Sequence, residues 1–88
     1  MRHESGYVIR VTVPGKGDLL GDGEELVRLR SGATEAGSSS FELDDEEGDL
    51  SILLHFPSAS ADDALTGARL FVDLADFEQA SVGRPAPV

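Results

Sequence analysis

Asp22–Gly37 reads D-G-E-E-L-V-R-L-R-S-G-A-T-E-A-G, and whether this stretch is coiled or extended decides the fold. As a helix, Asp22 is the N-cap and Glu25 stands three residues on, the spacing of a capping box. Leu26, Leu29, Ala33 and Ala36 then share one face, Glu24 reaches Arg28 at i+4, and Gly37 supplies the stop. As a strand, Val27-Arg28-Leu29-Arg30 alternates, and Gly32 and Thr34 are poor helix residues. Cap, charge pair and stop agree with one another, which favours the helix.

Upstream, Tyr7–Val13 (Y-V-I-R-V-T-V) is β-branched and aromatic. It sorts Tyr7, Ile9, Val11 and Val13 to one side and Val8, Arg10 and Thr12 to the other, as a strand does. Pro14-Gly15 turns the chain into a glycine- and aspartate-rich loop over Gly15–Gly23. Downstream, Ser39–Asp44 and Asp49–Phe56 form the arms of a hairpin around Asp45-Glu46-Glu47-Gly48, closed by Pro57. Ser60 caps a second helix, with Asp62 and Asp63 in its first turn, running to about Gln79. Ser81–Val88, with Pro85 and Pro87, reads as a flexible tail after a single domain of residues 1–80.

The resulting order is β-α-β-β-α. It predicts an α+β two-layer sandwich, with an antiparallel or mixed sheet and helices on one face. That is an incomplete ferredoxin-like arrangement, one strand short. Were Asp22–Gly37 extended, a four-stranded antiparallel meander under the C-terminal helix would result.

The chain has 88 residues, 17 acidic and 7 basic side chains and a formal charge of −10. Such a field repels phosphate backbones and steers toward a basic partner, so no nucleic-acid binding is expected. Cysteine is absent, which removes disulfides, thiolate catalysis and Cys-ligated zinc and fits a reducing compartment. MRHESGYVIR has charge without an apolar run behind it, so neither a signal peptide nor a membrane span is expected. The expected location is the cytoplasm. Six arginines against one lysine hint at a GC-rich bacterial genome.

Three places attract attention as sites. If Tyr7, Ile9, Val11 and Val13 face the helices with Phe41, Leu43, Ile52, Leu54 and Phe56, the opposite sheet face carries Arg10, Glu42, Asp44, Ser51, Leu53 and His55. Arg10, His55 and Glu42 then share a row able to hold an anion or move a proton, or simply to make a solvated face. The second helix has a broad apolar face through Ala64, Ala68, Phe71 and Ala75. A further stripe of Leu70, Leu74 and Phe77 needs cover, either from the first helix or from an oligomer interface. The hairpin acids Glu42, Asp44, Asp45, Glu46, Glu47 and Asp49 lack calcium-loop spacing and suit steering of a basic protein.

No metal site or cofactor is expected. Gly15-Lys16-Gly17-Asp18 lacks the phosphate-loop pattern, His3 lies near the N-terminus, and no catalytic motif appears. These features predict a non-enzymatic acidic interaction module of accessory, inhibitor or immunity type, docking through its hairpin. The competing reading is a homodimer that binds a small ligand, or transfers a proton, on the Arg10/His55 face.

Overall fold

Alternation along three segments builds the sheet. The computed structural model describes residues 6–57, 60–77 and 79–87; His3 lies outside them. Strands β1 (Gly6–Val13), β2 (Ser40–Glu46) and β3 (Asp49–Pro57) are joined by two further short strands, β4 (Ser81–Val82) and β5 (Ala86–Pro87). All pairings are antiparallel: β1 runs from Gly6↔Pro57 to Val13↔Leu50 against β3, and β3 pairs β2 from Ser40↔His55 to Glu46↔Asp49. The order is β2-β3-β1-β4, with β5 also on β1. The protein is thus a small α+β fold with a five-stranded antiparallel sheet and two helices.

Helix α1 (Gly23–Glu35) settles the decisive segment. Asp22 caps it, its carboxylate accepting from the backbone N–H of Glu24 at 3.1 Å and Glu25 at 3.3 Å. The stop falls at Gly37, whose φ of 98° lets the Ser38 N–H return to the Ala33 carbonyl at 2.9 Å, a left-handed helix ending. The meander alternative is therefore set aside. The expected Glu24–Arg28 pair is replaced by Glu25–Arg28, at i+3 and 3.7 Å.

Helix α2 (Ala61–Ala75) begins at Ser60, which accepts from the Asp63 N–H at 3.1 Å. It ends four residues short of the expected Gln79. Asp76 turns left-handed (φ 60°), and the Phe77 N–H bonds back to the Val72 carbonyl at 3.2 Å.

The chain released there returns to the sheet. Val82 and Ser81 pair with Val11 and Thr12, the Gly83 N–H donates to the Arg10 carbonyl at 2.8 Å, and Ala86 and Pro87 pair with Val8 and Tyr7. Ile9 therefore faces two residues, Arg84 and Pro85, across a β-bulge. The segment expected to be a flexible tail outside the domain is, over its described residues, part of the sheet.

The core lies between sheet and helices, as the alternation predicts. Ile9, Val11, Val13, Leu50, Ile52, Leu54 and Phe56 meet Leu29, Ala33, Ala64, Ala68 and Phe71, all buried. Tyr7, Phe41 and Leu43 pack against its rim. Gly67 sets the approach of α2: a Cβ there would lie 2.6 Å from the Phe56 ring and 2.9 Å from the Ala36 carbonyl oxygen. Among the described residues no helix is long and apolar enough to cross a membrane.

Candidate functional site

Pairing across β2, β3 and β1 arranges the helix-free face in rows. Ser40, His55 and Val8 form one; Glu42, Leu53 and Arg10 the next; Asp44, Ser51 and Thr12 the third. Arg10 and His55 thus lie on the same side of the sheet, but the expected single row of Arg10, His55 and Glu42 does not form. Leu53 separates Arg10 from Glu42, and His55 sits one row away.

The side chains are committed accordingly. Arg10 Nη1 donates to Ser51 Oγ at 2.7 Å and lies 3.5 Å from Glu46 Oε1. The ion pair is more than half exposed at both ends, so it contributes about 0–1 kcal/mol. Ser51 is only 2% exposed although it sits on the outer face, where Arg10 is its hydrogen-bond partner; hydrophobic patterning does not register this burial.

His55 Nδ1 lies 3.1 Å from Ser39 Oγ, while Nε2 is buried with no hydrogen-bond partner among the described residues. Ser38, beside it, is buried and donates to the carbonyls of Ser40 at 2.7 Å and His55 at 3.1 Å. Ser38 therefore anchors the start of β2.

The acidic hairpin is tighter than its sequence suggests. β2 runs on to Glu46, leaving Glu47 (φ 55°) and Gly48 (φ 91°) as a two-residue turn, the double-positive geometry that follows strand twist. Two carboxylates lock this end. Asp45 Oδ1 accepts from the Gly48 N–H at 2.9 Å, and Asp49 Oδ1 accepts from the Gly15 N–H at 2.9 Å. Asp44 Oδ1 accepts from the Asp45 N–H at 2.9 Å.

A 3-10 turn over Gly17–Gly21 closes on the hairpin, the Gly17 N–H donating to the Gly48 carbonyl at 2.9 Å. A Cβ at Gly17 would come within 2.9 Å of the Gly48 carbonyl carbon, so glycine is required by proximity there. The turn also brings exposed Asp18 to the acidic end, a contribution the hairpin sequence alone does not reveal. Glu42, Asp44, Asp45, Glu46 and Glu47 are exposed and Asp49 is half-buried. Among the described residues no group of three or more acidic or histidine side chains is arranged to hold a metal ion.

The helical stripe divides. Phe77 is half-buried and edge-on to Phe71, with centroids 6.3 Å apart and planes at 63°; it turns inward. Leu70 and Leu74 are each 44% exposed. α1 covers part of Leu74: a Cβ at Gly32 would stand 3.8 Å from Leu74 Cβ.

No protein-family model, curated protein or solved structure matches the chain.

Proposed function

We propose that this chain is a small acidic interaction module, of accessory, inhibitor or immunity type, which docks on a basic protein through its β2–β3 hairpin in a bacterial cytoplasm. One observation carries the reading. The acids sit on a turn braced by Asp45 and Asp49, and Glu46 has the single inter-element ion pair found among the described residues, with Arg10. Bracing limits the conformational entropy lost on docking, and unneutralised carboxylates attract a cationic surface over roughly a Debye length. The reading assigns the chain no catalytic step. The order β2-β3-β1-β4 supports a ferredoxin-like fold completed by the C-terminal segment.

The test is capture of a partner on the full chain from its native host over a salt series, beside a Glu42→Gln, Asp44→Asn, Glu47→Gln triple variant. These three acids make no contact that holds the turn to another loop. Partner recovery should fall steeply between about 50 and 500 mM salt and drop with the variant, mostly through the on-rate. Recovery indifferent to both overturns the proposal.

A second reading, a homodimer binding a small ligand or moving a proton on the open face, draws on His55 Nε2, near Arg10 and without a hydrogen-bond partner among the described residues. Light scattering across a concentration series decides it. A dimer enclosing Arg10 and His55 is required, and a monomer throughout removes it.

A further inference from the structure

A cleft of about 390 Å³ opens where β1 ends and α2 stops, within the size range of small-molecule sites. Its walls include Lys16, Glu25, Arg28 and Asp76 over an apolar floor with Val13 and Phe77. The chain carries −10 overall with seven basic side chains, yet here, among the described residues, two cations stand with two carboxylates.

The cation of the wall is fixed in place. Arg28 Nη2 donates to the Ala75 carbonyl at 2.8 Å and Nε lies 3.7 Å from Glu25 Oε2, so the guanidinium is held from both helices. Asp76 is costly where it stands. It adopts φ 60° at the carbonyl end of α2, a conformation aspartate tolerates, but negative charge there opposes the helix dipole. Asp76 is exposed and lines the cleft, and its charge gains nothing from the helix it ends.

We propose that this cleft binds a small zwitterion with a short apolar body. Its carboxylate is taken by Lys16 and Arg28, its ammonium by Asp76, and its apolar part by the floor beside Val13 and Phe77. A simple anion would leave Asp76 facing like charge, and a simple amine would leave Lys16 so, Arg28 already having Glu25 beside it. A molecule carrying both signs leaves neither group opposed. The cleft adjoins the acidic hairpin, since Gly15 and Gly17 on either side of Lys16 are bonded to it, but ligand binding in the cleft does not depend on docking there.

The test is amide NMR of the full chain titrated with L-leucine, with 4-methylpentanoate, which lacks the ammonium, and with 3-methylbutylamine, which lacks the carboxylate. Leucine should give saturable shifts at millimolar concentration, centred on residues 16–19 and 75–77. Each analogue should bind roughly tenfold more weakly. Lys16→Met and Asp76→Asn, the latter keeping a residue that tolerates positive φ, should each weaken leucine by roughly tenfold with the remaining amide spectrum unchanged. The proposal is overturned by absence of saturation up to about 20 mM leucine, by equal binding of either analogue, or by variants that bind as the parent does.

Discussion

Two glycines inside helices show how single positions divide between propensity and packing. Gly32 lies in α1 with open room: a Cβ there would stand 3.7 Å from the Phe71 ring and 3.8 Å from Leu74 Cβ, ordinary contact distances. Gly32→Ala should therefore raise stability by about 0.5–1 kcal/mol. Gly67 in α2 has the same propensity to gain but meets Phe56 at 2.6 Å and the Ala36 backbone at 2.9 Å. Gly67→Ala should cost about 1–3 kcal/mol despite the better helix former. Urea unfolding of the two variants checks both signs, and a stabilised Gly67→Ala would refute the packing argument. The sequence shows both glycines as weak points of a helical pattern and cannot tell them apart. What separates them is a neighbour 11 residues upstream for Gly67 and one about 40 downstream for Gly32.

Elements whose signals are local were legible. β1 and β3 follow from alternation, and α1 from the Asp22 cap and Gly37 stop, because each signal lies within a few residues of the structure it sets. The C-terminal edge was not legible. β4 and β5 are two residues each, split by the Gly83–Pro85 bulge, so no run is long enough to alternate and the prolines argue against a strand. An edge strand tolerates them, since one side of its backbone need not pair. Deleting residues 81–88 should expose the flank of β1, cost about 2–4 kcal/mol from lost backbone bonds and packing around Val82, and promote association through the bared edge. Thermal unfolding and sedimentation measure the two effects; an unchanged melting temperature would mean the edge contributes nothing. The site was half legible in the same way. Period two put Arg10 and His55 on one face correctly, but the register of β1 on β3, a pairing between segments about 40 residues apart that no local signal encodes, placed them in different rows.

At the scale of the whole molecule, charge and edges act together. The unpaired side of β2 carries Glu42, Asp44, Asp45 and Glu46, and the other flank of the sheet is short, bulged and proline-bearing; both discourage addition of a further strand. The same acids repel one another in the folded chain. With −10 overall and two ion pairs among the described residues, self-repulsion opposes compaction. Melting temperature should therefore rise by several degrees between about 10 and 500 mM sodium chloride. A fall with salt would show that the few ion pairs outweigh the net charge.

The bulge opposite Ile9 has a mechanical consequence. Because the ladder is offset by one residue on its two sides, sliding the segment either way would mend one half only by breaking the other and turning side chains over. The segment therefore fits β1 in a single alignment, like a key with one cut. A synthetic peptide of residues 81–88 has what it needs to find that slot on a shortened chain and complete the fold in trans.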